Sequence, residues 1–314
     1  MSKLYLVTGF LGAGKTTFLK NFIKLFSDGP LGNQRLHIIV NEYGKEGIDG
    51  QLLREVGTVL DEINNGSIFC SCRLDKFEEV LGKALETKPD VILIEASGLS
   101  NPTNVRKIMA QKEKFPGLED MGSICLLDAR RFHKVYQTAT VVKKQINISD
   151  IILINKTDLV TEEELANVKA IIQDHRPDIP VYETSYGRIQ DAWIQDMERP
   201  MLSKEKPEMQ TKDITLRSYI LRIGESFTAY ELEKFVEMFL EDTYRVKGFV
   251  NLEGKTYLLD CVGNLFQLQA YEREVTGLNE IVVLAGNGLP AAKSIKEAMK
   301  WYPGKVESFG SAKQ

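Results

Sequence analysis

The chain has 314 residues, more than most single domains, so two hydrophobic cores are expected. A hydrophobic fraction of 43% beside 27% charged residues is that of a folded globular protein, and a net charge of −4 argues against a general nucleic-acid binder. No apolar run approaches the roughly 20 residues that span a bilayer, and the few cysteines make no disulfide framework, so the expected setting is the reducing cytoplasm, with neither membrane nor nucleic acid as partner.

The first predicted element is an apolar strand, Leu4-Tyr5-Leu6-Val7, running straight into Gly9-Phe10-Leu11-Gly12-Ala13-Gly14-Lys15-Thr16-Thr17. That stretch completes the G-x-x-x-x-G-K-[ST] pattern of a phosphate-binding loop. The glycines let backbone N–H groups face a polyphosphate, Lys15 brings positive charge to the β- and γ-phosphates, and the Thr16 hydroxyl is placed to ligate Mg²⁺ at a helix N-terminus. Residues 4–11 have the apolarity of a secretory leader, but cleavage there would destroy the loop, so they are read as part of the fold. Phe18, Leu19, Phe22, Ile23 and Phe26 then give the following segment a helical apolar face.

Short apolar, β-branched runs follow at residues 36–41, 91–95, 123–128, 151–155 and 179–183, separated by segments of helical period. One of those segments opens with a capping box, Thr161-x-x-Glu164, and continues through Leu165, Val168 and Ile172. The pattern predicts a doubly wound, mainly parallel α/β domain over residues 1–185. Residues 186–211 read as a linker, being polar with Pro200 and Pro207. A smaller α+β domain is expected over 212–314. It comprises a strand at 215–223, a capping box Thr228-x-x-Glu231 leading a helix with Leu232, Phe235, Val236 and Phe239, strands at 249–250, 257–261, 265–268 and 281–284, and a helix at 291–301.

Three further constellations sit at predicted strand ends. Asn155-Lys156-Thr157-Asp158 follows the strand 151–154. A carboxylate at Asp158 accepts hydrogen bonds from guanine N1–H and its exocyclic amine, whereas adenine lacks the N1–H, so GTP and GDP are the expected nucleotides. Glu95 ends the strand 91–95, where open α/β sheets place their ligands, and is placed to reach Mg²⁺ or its bound water. Gly98, three residues on, has an N–H available to a γ-phosphate, which makes its loop a sensor of that phosphate. Asn41-Glu42-Tyr43-Gly44, with Asp49 beyond it, is a weaker candidate switch segment.

Together with Arg245-x-Lys247-Gly248-Phe249, these motifs resemble the CobW family of P-loop GTPases, relatives of the urease and hydrogenase nickel chaperones. The resemblance covers nearly the whole chain and is sharpest from Leu4 to Asp158. It implies a GTPase of low intrinsic rate that binds a transition metal, often zinc or cobalt, and delivers it to a client metalloprotein. It also implies that the C-terminal part is the family's smaller β-sheet domain, which helps to select partners.

The chain departs from the family at the family's Gly-Cys-x-Cys-Cys loop, which here reads Gly66-Ser67-Ile68-Phe69-Cys70-Ser71-Cys72-Arg73. Two thiols remain. Tetrahedral Zn²⁺ with bonds of about 2.3 Å needs its sulfurs roughly 3.8 Å apart, which a Cys-x-Cys turn reaches, so Cys70 and Cys72 form a partial site. The resemblance suggests Glu42 as a further ligand, leaving one position open, as suits a carrier. The bland alternative is that both are ordinary loop residues. Cys125 and Cys261 read as buried strand residues, and His37, His133 and His175 as scattered structural ones. Two rival functions stay open: a GTP-gated protein chaperone that has lost metal transport, favoured by the altered cysteine loop, and an ATP-dependent small-molecule kinase, disfavoured by Asn155 to Asp158.

Overall fold

The computed structural model describes residues 1–27, 31–32, 34–40, 59–62, 74–96, 98, 103–109, 113–198, 216–263, 265–272, 275, 277–286 and 288–312. They divide into two compact units, Met1–Tyr136 with Val141–Gln210, and Gln137–Thr140 with Thr211–Gln314.

Up to residue 198 the elements are β1 (Ser2–Gly9), α1 (Lys15–Ser27), β2 (Leu36–Val40), β3 (Val59–Glu62), α2 (Leu74–Glu86), β4 (Val91–Glu95), α3 (Thr103–Met109), β5 (Leu118–Asp128), α4 (Phe132–Thr138), α5 (Thr140–Ile148), β6 (Ile151–Asn155), α6 (Glu162–His175), β7 (Val181–Glu183) and α7 (Asp191–Glu198). The seven strands form one sheet in the order β3-β2-β4-β1-β5-β6-β7, with every pairing parallel. This is the doubly wound α/β architecture expected from the sequence. β2, β4 and β6 are buried at every position, which is why they read as unbroken apolar runs rather than alternating ones. β1 divides its side chains between two cores. Tyr5 and Val7 meet Phe18, Phe22 and Phe26 of α1, while Leu4 and Leu6 meet Phe77 and Leu81 of α2 and Val105 of α3. The three α1 phenylalanines recur every fourth residue and so form one ridge, with Phe22 stacked on Phe26 at 4.7 Å and edge-on to Tyr5 at 5.4 Å.

Several boundaries differ from the sequence reading. β5 begins at Leu118 rather than residue 123: Glu119 and Asp120 interrupt its apolar pattern, while its pairing to β1 continues through a register shift that skips Met121. β7 begins at Val181 rather than 179. The segment 186–211, read as a linker, contains α7, which docks on the first core through Ile194 and Met197 while Trp193 stacks on Tyr182 at 4.9 Å. Tertiary burial makes that short, polar stretch helical, where its own apolar period is too brief to announce a helix.

The second unit holds β8 (Leu216–Ile223), α8 (Ala229–Leu240), β9 (Arg245–Leu252), β10 (Lys255–Val262), β11 (Leu268–Ala270), β12 (Glu280–Gly286), α9 (Ala291–Trp301) and β13 (Val306–Ser311). Its six strands form an antiparallel sheet in the order β11-β10-β9-β12-β8-β13. Leu221, Ile223, Val246, Val250, Ile281 and Val283 share a core with Leu232, Phe235 and Phe239 of α8 and Ile295 of α9. Both predicted capping boxes form, at Thr161 and at Thr228. The strand expected at 265–268 lies instead at Leu268–Ala270, and Leu265 makes only an isolated bridge to Val262. β13 escaped the sequence reading because Val306 to Ser311 has no clean alternation of apolar and polar residues.

The α1 ridge sets a test of this packing. Phe22→Ala leaves a cavity between Tyr5 and Phe26 and is expected to lower the unfolding free energy by about 3–5 kcal/mol, read from urea denaturation. A loss below about 1 kcal/mol would contradict the packing described.

Candidate nucleotide site

Because every strand of the first sheet runs the same way, the C-terminal ends of β1, β4, β5 and β6 open on one edge and bring Gly9, Glu95, Asp128 and Asn155 there. Register fixes their neighbours: Val7 lies opposite Glu95, Gly9 opposite Leu126, and Asp128 opposite Asn155.

The loop from Gly9 to Gly14 owes its path to glycine at two positions above all. Gly9 has φ 141° and sits so close to β5 that a Cβ would fall 2.3 Å from the Leu126 carbonyl oxygen. Gly14 has φ 95°, and a Cβ there would fall 2.3 Å from Asn155 Nδ2. The loop then enters α1, where Thr16 and Thr17 are exposed and Ala13 and Lys15 are buried. Lys15 Nζ donates to the carbonyl oxygens of Gly9 at 3.0 Å and Phe10 at 3.3 Å, so the ammonium lies against the loop it belongs to.

Asn155 joins the two ends of the site. Its Nδ2 donates to Ala13 O at 2.9 Å, and its Oδ1 accepts from Gly187 N at 3.0 Å. Lys156 follows in the left-handed region, φ 62° and ψ 36°, and its ammonium pairs with Asp128 at 2.7 Å. Asp158 is exposed, and its backbone N–H donates to Ser185 Oγ at 3.3 Å. Ser185 Oγ lies 2.9 Å from the Thr157 hydroxyl, which also donates to Thr184 O at 3.1 Å.

The loop after β7 was not singled out by the sequence reading. Its carbonyls at Tyr186 and Gly187 both accept from Asn21 Nδ2 of α1 at 2.9 Å, and a Cβ on Gly187 would press within 2.6 Å of Phe18 N. These contacts leave Tyr186 exposed with φ 57°, a backbone state that non-glycine residues rarely occupy and that gathers at ligand sites. Thr184-Ser185-Tyr186-Gly187 gave a usable signal, a small polar run ending in glycine directly after a strand. Asp128 was also missed: besides holding Lys156, its Oδ1 accepts from the N–H groups of Arg130 and Arg131 at 3.0 and 3.3 Å.

On the other side of the phosphate loop, Glu95 is nearly buried at the end of β4, and Ala96 N donates to Val7 O at 2.8 Å. Gly98 is buried against the loop, and a Cβ there would lie 2.7 Å from Leu11 N. Its carbonyl accepts from Gln145 Nε2 of α5 at 3.2 Å. Gly9, Gly12, Ala13, Gly14, Lys15, Thr16, Thr17, Glu95, Gly98, Asn155, Lys156 and Asp158 therefore all lie at this edge, on the strand ends, the loops that follow them and the first turn of α1.

Residues 3–183 match the model of the CobW/HypB/UreG nucleotide-binding domain, and residues 216–300 match the cobalamin synthesis protein cobW C-terminal domain. The chain belongs to the CobW/HypB/UreG family. Among relatives, it is similar to the zinc chaperone YeiR of Escherichia coli (strain K12), 30% identical over 205 residues that make up 65% of this chain and 61% of YeiR. It is also similar to the zinc chaperone YjiA of the same organism, 25% identical over 80% of this chain and 82% of YjiA. Among solved structures, that of the Zn(II)-bound YjiA GTPase from E. coli aligns over 96% of this chain and 99% of its own, with 19% identity and a TM-score of 0.48.

Glu42, Asp49, Cys70 and Cys72 lie outside the described residues, and among the described residues no three His, Cys, Asp or Glu side chains are grouped to hold a metal ion. No helix of the described residues is long and apolar enough to cross a membrane. His37 is buried with Nδ1 3.3 Å from the Thr87 hydroxyl, His133 is exposed against Phe132, and His175 Nδ1 lies 3.1 Å from the Tyr136 hydroxyl. Cys125 and Cys261 are buried strand residues, and burial pushes both thiols up to about 12.

Two tests follow from this geometry. Gly14→Ala drives a methyl into the Asn155 amide and is expected to weaken binding of a fluorescent GDP by about 100-fold or more while the protein stays folded. Wild-type affinity in that titration would sink the bridge. Iodoacetamide at pH 8 should modify at most two of the four cysteines of native protein, because a thiol held near 12 offers almost no thiolate. Mass spectrometry counts them, and labelled Cys125 or Cys261 would contradict their burial.

Proposed function

We propose that this chain is a Mg²⁺-dependent GTPase that carries a transition metal, Zn²⁺ or Co²⁺, to a client metalloprotein. The observation that carries the nucleotide half is the Asn155 amide, which ties the phosphate loop to the loop 184–187 and leaves Asp158 exposed beside them. A carboxylate in that position pairs with the two adjacent donors of guanine. Against adenine it meets the N1 acceptor and loses a hydrogen bond, which is the kind of mismatch that separates substrates strongly. The metal half is supported by family membership and by relatives named zinc chaperones.

Lys15 exchanges its carbonyl partners for phosphate oxygens, which as anions bind an ammonium more strongly than neutral carbonyls do. Thr16 and Glu95 would supply hard oxygen donors, the kind Mg²⁺ prefers, and the ion held there would offset charge on the phosphates. Gly98, held by Gln145 and packed on Leu11, offers its N–H as the sensor of the terminal phosphate. The metal cargo goes to Cys70, Cys72 and Glu42, and the cysteine loop lies in sequence between the two phosphate-responsive segments, Glu42 to Asp49 and Glu95 to Gly98. Turnover without a client is low. The loss of two family cysteines at Ser67 and Phe69 favours one second reading, a GTP-gated chaperone that carries no metal.

One substitution tests the nucleotide half. Asp158→Asn replaces an acceptor by an amide that can donate to the C2 carbonyl of xanthine, so GTP affinity should fall by about 30-fold or more while xanthosine triphosphate gains. An unchanged preference for GTP would remove Asp158 from the base site. For the cargo, Zn²⁺ is titrated into reduced protein with and without Mg²⁺ and a non-hydrolysable GTP analogue. Binding that depends on nucleotide and weakens by about 100-fold or more in the Cys70→Ser, Cys72→Ser double variant supports a carrier. GTP binding with no thiol-dependent uptake of Zn²⁺ moves the reading to the metal-free chaperone.

A further inference from the structure

The turn after β5 brings a second cation to the phosphate loop. Asp128 fixes that turn, accepting from the backbone N–H of Arg131 through both Oδ1, at 3.3 Å, and its own carbonyl, at 3.2 Å. The Arg131 side chain then runs back to the phosphate loop, where Nη1 donates to Leu11 O at 3.5 Å. Leu11 has Gly98 on its amide side, so one residue of the loop lies between the proposed phosphate sensor and a guanidinium. Lys15 occupies the two preceding carbonyls, Gly9 and Phe10. Three consecutive carbonyl oxygens of the phosphate loop thus carry both positive groups. Neutral carbonyls hold a guanidinium more weakly than a phosphate oxygen does, since a fully charge-assisted pair is shorter and stronger.

We infer that Arg131 supplies, from within the same chain, a second positive charge to the terminal phosphate of GTP. The assignment rests on the nucleotide reading above and adds to it the group that stabilises charge during hydrolysis. In that reaction a water oxygen bonds to the γ-phosphorus and the bond from γ-phosphorus to the β–γ bridging oxygen breaks. GDP keeps the electron pair, and both water protons leave with the phosphate as H₂PO₄⁻. Arg131 donates hydrogen bonds throughout and keeps its protons, as a guanidinium does at any physiological pH. Asp128 serves as its positioning residue and, through Lys156, sets the base side from the same carboxylate. An arginine supplied in cis is compatible with slow turnover, because it contributes charge without a residue to orient the water.

Arg131→Ala and Arg131→Lys test this, with three readouts: affinity for fluorescent GDP, single-turnover GTP hydrolysis with Mg²⁺, and trapping of GDP with aluminium fluoride. For Arg131→Ala, hydrolysis is expected to fall by about 100-fold or more and fluoride trapping to be lost, with GDP affinity within about 3-fold of wild type. Arg131→Lys should recover part of the rate, since it keeps the charge and loses the fork. Unchanged hydrolysis in both variants overturns the assignment. So does an equal fall in GDP affinity and hydrolysis, which would mark Arg131 as a clamp on Leu11. If the unsubstituted chain binds no GDP, the nucleotide reading fails and this one with it. GDP binding with normal rates in the variants overturns Arg131 alone.

Discussion

The carboxamide of Asn155 is the joint on which the site depends. One end accepts from a backbone N–H of the loop after β7, the other donates to a backbone carbonyl of the phosphate loop, and the side chain is buried. Its geometry forces glycine at position 14, because the Nδ2 atom fills the space where a Cβ would stand. Removing the amide would orphan two buried backbone groups at once, each costing about 1–3 kcal/mol. A local change at residue 155 would therefore be felt in both loops. An apolar strand end would allow the same backbone but would leave the two loops with no common reference.

That joint works because of the sheet beneath it. Parallel strands deliver their C-terminal ends to one edge, and the phenylalanine ridge of α1 on one face, with α2 and α3 on the other, prevents the strands from sliding. Asp128 adds a second level of order. It is nearly buried, and its two oxygens divide their work between the turn leading to Arg131 and the ammonium of Lys156. Polar groups in such low-dielectric surroundings are stiff when satisfied, so the site is shaped before any ligand enters.

The sequence made the local parts of this arrangement legible and the long-range parts obscure. Gly9 to Thr17, Glu95 and Asn155 to Asp158 are contiguous motifs at strand ends, where the chemistry needed is carried by neighbours in the chain. The strands themselves were legible because burial on both faces demands unbroken apolar runs. Asp128, Arg131 and the loop 184–187 earn their places only when β5, β6 and β7 lie side by side. Arg131 is separated by 120 residues from the carbonyl it touches, and no pattern within a short window reports such a pairing. α7 was misread because its stability comes from docking Ile194 and Met197 on a distant core rather than from its own composition. The expectations for Glu42, Cys70 and Cys72 concern residues outside the described part of the chain.

The antiparallel sheet of the second unit has a topological property of its own. Its first strand, β8, and its last, β13, are hydrogen-bonded neighbours, so the chain enters and leaves that sheet at adjacent positions. A sheet whose first and last strands are neighbours in this way can be excised or grafted as one piece with its strand ladders intact. Sequence change in the second unit is then independent of the parallel sheet, whose strands share no ladder with it.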